Sequence, residues 1–486
     1  MEFSSRTTAA VFVLAVLTVL GHWNIWAHGV DALGWNSTVA WLTTLSLLWF
    51  NRAERSFRRD RCWLLPLIAI AVSYSVFENP WLKLISCFVL PAATGIFFAY
   101  AQLGRPRQPL WDLALTSVLL KRTAGPFRQL SRSFSFVVSR PAVAFGKANN
   151  SLMKRVMRGV LLLVPVAILV SALLASADEK FANLYQNLVS EFFALISWSV
   201  ALKMAWMIVV ATLVFATLHS WRKPLAFEQP GRTAAMDDVV VGIVIGGVLF
   251  IYLVFLYLQI DYLTVGVLPS DFAQVERLVK SGFWQLFFLS ILNIGLFLLI
   301  YNNIGGVALL LLRVFVAASG LLLISAAWRM GLYVYWYGLS YEKFFASYTT
   351  VFALVVFVYL LVASFLSRRR DVFRFIAFAA LGAYSIATLL PVEKVIFHSN
   401  LRLAKIVDSR VHLRDLKHLS LDIVGDVERE LGRRPSSQLL TAGDGGWSLW
   451  LRNKKNRRCR RAWYEWRLSL ELVDTSCTAP DRTSTN

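Results

Sequence analysis

Long apolar runs alternate with short polar ones along most of this chain. Eleven of the runs, near 9–27, 34–50, 62–78, 81–101, 159–177, 194–217, 239–260, 283–302, 306–328, 345–367 and 375–391, are long enough or nearly so to cross a bilayer. A hydrocarbon core of about 30 Å takes roughly 20 helical residues. The runs are too long and too continuously apolar for the alternating strands of an outer-membrane barrel. Each must therefore close its backbone hydrogen bonds within itself, as a helix. The pattern predicts an all-α, polytopic transmembrane bundle of about eleven spans with a small C-terminal extramembrane domain. Arg6 precedes the first run and no small-x-small site lies near Trp26-Ala27-His28, so that run reads as an uncleaved span; cleavage would leave ten. Four regions follow: a four-span part (1–101), a basic loop (102–158), a seven-span core (159–391) and a polar C-terminal region (392–486). The last is read as helical over about 411–431, broken at Gly443-Asp444-Gly445-Gly446, and disordered at its end.

Charge adds orientation. The net charge is +21, but Lys and Arg are sorted by side. One alternating set of polar segments (Arg6, 51–61, 102–158, 218–237, 367–374) carries twenty-four of them, and the other set (28–33, 79–80, 178–193, 261–282, 329–344) carries five. This positive-inside asymmetry assigns the first set, and the N-terminus, to the cytoplasm. One span remains after Arg368-Arg369-Arg370, so the C-terminal region is expected outside, in the periplasm if the cell is a Gram-negative bacterium. Its 18 basic and 12 acidic residues do not oppose this, because large segments translocate largely regardless of charge. Composition agrees: 57% of residues are apolar and 16% charged.

Enzyme signatures are missing. The chain has no P-loop, Gly-x-Ser-x-Gly, His-Glu-x-x-His or Cys-x-x-Cys sequence, and no cofactor is expected. His412 and His418 stand six apart without a third ligand, too little for a metal site. Cys62 and Cys87 read as interface and packing residues, and the spacing of Cys459 and Cys477 leaves their pairing open.

Three stretches resemble a family of bacterial membrane proteins known as domain of unknown function 4173, with the related 4153. They are Arg158–Pro165 running on to Leu173–Asp178 and Phe181; Lys280–Leu286 with Arg313, Trp328–Tyr333 and Tyr337-Gly338-Leu339-Ser340; and Asn400-Leu401-Arg402 with Asp415-Leu416 and Leu419–Asp422. Trp447-Ser448-Leu449-Trp450 is similar to the family's closing segment, so the likeness runs over about 158–450. Glu179 replaces the family's usual Pro, and Glu342-Lys343 its usual Arg. The resemblance implies a polytopic inner-membrane protein and supplies no reaction.

Intramembrane charges are the default functional pointers, at about 2.5–3.5 kcal/mol each on insertion scales. Lys83 is near enough to a span end to snorkel, and Arg313 sits roughly 10 Å deep at 1.5 Å per residue, within reach of the interface. Lys203 falls near the midplane, with Ser199 and Trp206 on its face of the helix and Trp206 as cation–π partner. It marks either an ion or substrate site, or a Lys held by helix carbonyls, Asn293 of another span or a water. Asp178, Glu179, Glu191 and Asp261 end spans on the outer side; they either converge on a cation or are solvated ends. Gly242, Gly246 and Gly247 suggest close helix packing. Residues 333–341, with four Tyr and a Trp, read as an aromatic belt.

Leu110–Arg122 is expected to lie on the membrane, where anionic headgroups attract the eleven basic residues of 102–158; a cytoplasmic protein partner docking on that loop is the alternative. The basic, Trp-flanked stretch 447–466 has the character of a nucleic-acid grip, but an outward placement favours lipid headgroups instead. The expectation is a non-enzymatic sensor or scaffold of the inner membrane, with the lipid bilayer as its partner and no nucleic acid. The alternative is a permease with a cavity near Lys203.

Overall fold

A computed structural model gives the fold. It describes residues 3–23, 25, 29–50, 61–101, 124–146, 198–222, 237–264, 272–301, 304–366, 372–406, 410–432, 446–459 and 467–468. Among these there is no strand. The helices are α1 (Ser5–His22), α2 (Trp35–Phe50), α3 (Leu64–Val76), α4 (Pro80–Ala101), α5 (Leu130–Gly146), α6 (Trp198–Arg222), α7 (Asp238–Thr264), α8 (Phe272–Ile300), α9 (Gly306–Tyr337), α10 (Tyr341–Phe365), α11 (Val372–Leu389), α12 (Val392–Leu403), α13 (Val424–Leu431) and α14 (Gly446–Cys459).

Ten of the eleven predicted runs fall on these helices; 159–177 lies outside the described residues. Seven helices (α1, α4, α6, α7, α8, α9 and α10) are long and apolar enough to span, or eight if α11 and α12, bent by 67°, make one crossing. The run around α3 is apolar but short, and α2 dilutes its 16 residues with Asn36, Ser37, Thr38, Thr43 and Thr44. We read α11 as the member that crosses. Pro391 begins the bend, and α12 carries Glu393, Lys394, His398, Asn400 and Arg402, too polar a set for hydrocarbon.

The chain forms two compact units: 1–57 with 95–104 and 118–226, and 58–94 with 105–117 and 227–486. In the first, α1 packs on α2 and α6, and α5 packs on α6. The hairpin of α1 and α2 is tied by Asn36, whose side-chain amide donates to the carbonyls of Gly21 and Ala32 (the latter at 3.0 Å) while its oxygen accepts from the N–H of Gly34 and Ser37. A Cβ at Gly21 would stand 3.0 Å from that of Asn36, so the glycine permits the approach. Helix α5 comes from the basic loop and seats Phe136 on Phe215, ring centroids 5.0 Å apart. Leu110–Arg122, expected at the membrane surface, lies outside the described residues.

In the second unit α9 is central, packing on α7, α8 and α10, with 44% of its spanning window buried against 22% for α7. A polar tie runs through the apolar core. Tyr252 donates to Asn293 Oδ1 (2.6 Å), Asn293 Nδ2 to Ser319 Oγ (2.9 Å), and Ser319 to the carbonyl of Phe315 (2.8 Å). On the glycine face of α7, Gly242 meets Leu311 at ordinary contact, and among the described residues no atom comes within 4 Å of a Cβ at Gly246 or Gly247. Helix α9 runs on through the aromatic stretch to Tyr337, so the belt is helical. Its 32 residues make a rod of about 48 Å, and its end extends beyond the roughly 30 Å hydrocarbon layer.

The polar C-terminal region has a core of its own. Val392, Ile396, Phe397, Leu416, Val427, Trp447 and Trp450 are buried together, with Leu82 of α4 and Tyr341 of α10. The expected helix over 411–431 is in fact two 3₁₀ turns, Leu413–His418 and Leu421–Ile423, followed by α13. Leu82 near the start of α4, the α9–α10 joint at Leu339, Tyr341 and Phe344, and residues from 392 onward meet in this core. Trp447 and Trp450 are buried, so they are not part of an outward grip. Lys454 donates to the carbonyl of Leu419 (2.8 Å) and Lys455 pairs with Glu428 (2.6 Å), which fixes α14 on its neighbours.

Candidate functional site

The site grows from the joint between α9 and α10. Gly338 ends α9 with φ +74°, a left-handed conformation that glycine adopts without strain. Asn400 of α12 then takes both backbone groups of Leu339: its Oδ1 accepts from the N–H (2.6 Å) and its Nδ2 donates to the carbonyl (2.7 Å). A Cβ on Gly338 would stand 2.4 Å from Asn400 Oδ1. Ser340 caps α10, accepting weakly from the N–H of Lys343 (3.4 Å). Lys343 folds back over the turn, donating to the carbonyls of Gly338 (2.8 Å) and Tyr337 (3.3 Å) with its ammonium 4.1 Å from the Tyr333 ring centroid. Arg410 donates to the Tyr337 hydroxyl (2.7 Å), and its backbone N–H donates to the Trp336 carbonyl (3.2 Å).

These contacts leave a cavity of about 650 Å³ between the turn and the segment 410–418, lined by Ser340, Lys343, Asn400, Arg410, His412, Asp415 and His418 among others. Pockets for small ligands run from about 300 to 1,000 Å³. A smaller pocket of about 100 Å³ shares Ser340 and Lys343 with it and is lined by Phe283, Trp284, Met330, Tyr333 and Glu342.

Behind the cavity lies a group of buried carboxylates. Tyr341, whose ring packs on His418 at 5.7 Å, donates to Glu393 Oε1. Glu393 Oε2 accepts from the backbone N–H (2.8 Å) and hydroxyl of Ser420, and Ser420 Oγ accepts from the N–H of Asp422 (3.2 Å). Asp422 accepts from the N–H of Glu78 (2.8 Å), Glu78 from the N–H of Leu421 (3.1 Å), and Arg467 pairs with Glu78 at 3.0 Å. Burial and, next, the charge of Asp422 lift the Glu393 carboxyl to about 7, against the pull of its hydrogen bonds from Ser420 and Tyr341. Among the described residues no three His, Cys, Asp or Glu side chains are arranged to hold a metal ion.

The residues expected from sequence are dispersed. Lys203 rests 5.1 Å from the ring of Trp23, at the end of α1. Trp206, the expected cation–π partner, is 45% exposed. Asn293 belongs to the other unit and is committed to Tyr252 and Ser319. Arg313 donates to the carbonyl of Ser364 (2.8 Å) and covers the Phe365 ring at 4.4 Å, a cation at the C-terminal end of α10. Lys83 is buried and does not snorkel. Asp178, Glu179 and Glu191 lie outside the described residues, as does the side chain of Asp261 on α7. Cys477 also lies outside them. Sequence reasoning missed Glu78, Glu393 and Asp422, although the rule that selected Asp178 and Glu191, a carboxylate at an outer span end, applies equally to Glu78 and Glu393.

Apolar helices in this number, joined into bundles by polar ties, define a multi-pass α-helical membrane protein. The chain belongs to the family described as Domain of unknown function (DUF4153), which it matches over residues 64–429. That is the relative named second in the resemblance. The match encloses every residue of the cavity, from Tyr337 to His418, and ends before the Trp447 element. No curated protein and no solved structure matches the chain.

Proposed function

We propose that this is a non-enzymatic sensor or scaffold protein of the bacterial inner membrane, with its N-terminus in the cytoplasm and its C-terminal region folded on the outer face. The cavity at the α9–α10 turn carries this reading, because it is walled on one side by two span ends and on the other by the polar segment 410–418. A ligand seated there touches the membrane body and the C-terminal region at once, the arrangement a receiver needs. The sorting of Lys and Arg supports the outward placement, and the lack of catalytic sequence signatures supports a role without chemistry. In this reading the basic loop 102–158 meets anionic lipid or a cytoplasmic protein, and nucleic acid is not a partner. A permease route past Lys203 is the second reading, favoured by a charge held in an apolar helix.

The test is a single Cys at the exposed Asp415 in a chain otherwise without cysteine. A membrane-impermeant maleimide added to spheroplasts is expected to label it fully. Labelling only in inverted vesicles would overturn the outward sensor.

A further inference from the structure

We infer that the cavity binds the phosphate group of an organic phosphate monoester, an inference that rests on the outward-receiver reading and names its ligand. Lys343 and Arg410 put two permanent cations on its wall, with His412 and His418 beside them, against the single carboxylate of Asp415. The first turn of α10, capped by Ser340, opens on the same space. Helix N-termini carry positive partial charge and unpaired N–H groups that suit phosphate, here as an addition to the side chains. A guanidinium offers five donors in a planar fork matched to phosphate oxygens, and an ammonium adds a compact point charge. A phosphate monoester carries about −1.5 to −2 charges near neutral pH, a better match to this wall than a single carboxylate.

The second pocket supplies the rest of the ligand class. It lies across Ser340 and Lys343 from the cavity and is walled by Phe283, Trp284, Met330 and Tyr333, with Glu342 its one acidic side chain. Phe283, Met330 and Tyr333 form a small apolar cluster with Ala346 at the ends of three spans. A phosphate beside Lys343 therefore has an apolar shelf next to it. Either a lipid headgroup or a soluble organophosphate can supply the phosphate.

Calorimetric titration of the purified full-length protein in a phosphate-free maltoside detergent tests this, with glycerol 3-phosphate and dihexanoyl phosphatidic acid as probes. Acetate, sulfate and dihexanoyl phosphatidylcholine serve as controls. Saturable binding of phosphatidic acid alone assigns the site to a lipid, and binding of both probes to a soluble ester. Arg410→Gln is expected to weaken binding about tenfold, as loss of a charge-assisted contact does, and Arg410→Lys to weaken it less. Arg410 also holds Tyr337, so His412→Gln, which removes no contact of the turn, is the second variant and should weaken binding as well. No binding of either probe, equal binding of the controls, or unchanged affinity in both variants overturns the proposal. None of these results bears on the maleimide labelling of Asp415, so an outward receiver with some other ligand remains distinguishable from failure of the receiver itself.

Discussion

Glu393 shows how far surroundings can move one side chain. Burial and the nearby charge of Asp422 push its carboxyl up from about 4.5 to about 7, so between those values the folded protein is expected to keep a proton that the unfolded chain has already lost. Stability therefore falls as pH rises through that window and stays low above it. Glu393→Gln should flatten the dependence: its carbonyl can face the donors of Ser420 and its amino group the Tyr341 oxygen. Melting temperature in detergent is expected to fall between pH 5 and 8 in the wild type more than in the variant, with the variant the more stable at pH 8. Equal slopes would sink the assignment. Gly338 and Asn400 form a second coupled pair. Gly338→Ala adds a side chain where φ is positive, a strain of about 1–3 kcal/mol, and also strikes Asn400 Oδ1. In an Asn400→Ala background the same change should cost about 1 kcal/mol less, because the obstacle is gone. Additive losses in that double-mutant cycle would show that the turn relaxes without the clash. Both residues stood in motifs that sequence comparison picks out, but Asn400 lies 61 residues from Leu339, and nothing local pairs them.

Helices were the most legible level because apolar length alone decides a span. The ends were less so. Apolar composition marks where hydrocarbon stops, whereas α9 carries its hydrogen bonds on through Trp328, Tyr333 and Trp336 until Gly338 breaks them. Helix α12 was hidden because its amphipathic pattern begins directly after a span and reads as the start of a polar tail. Only its partners show which face is buried: Val392, Ile396 and Phe397 turn inward, and Lys394 and His398 reach Asp426 of α13 at 3.7 and 3.5 Å. In α14 the interleaving of Trp with Lys suggested a face for headgroups. The spacing of Trp447 and Trp450 sets both on one stripe, which the fold uses as core. Trp447→Ala is expected to cost about 3–5 kcal/mol, the range for an aromatic lost from a core. The loss should fall on the C-terminal region alone, so limited proteolysis should clip residues 392–468 while the spans remain protected. Clipping within the spans as well would show that the region does not unfold by itself.

At the scale of the whole chain, two of the five sparsely charged loops, 79–80 and 329–344, adjoin the core that the C-terminal region builds. The parity of the charge alternation is expected to set the C-terminal end of α1 on the side of the C-terminal region, and Lys203 rests against Trp23 at that end. A Cys at position 203 should accordingly react with a thiol reagent from the same face as a Cys at 415. Reaction from both faces would indicate a water path and bring the permease reading forward. The exact number of crossings was not legible, because α3 and α2 fall near the threshold where length and polarity compete, and α11 with α12 bends where a straight span was read.

The pair of Arg467 with Glu78 has a consequence for biogenesis. Some 390 residues separate the two groups, and both are buried. Translation at about 5–20 residues per second delivers the arginine on the order of a minute after the glutamate. For most of that interval Glu78 sits at the head of α4 with neither its cation nor Leu421 yet made. A nascent chain arrested before residue 467 should thus carry an open carboxylate site that membrane proteases can find, and arrival of Arg467 is what closes it.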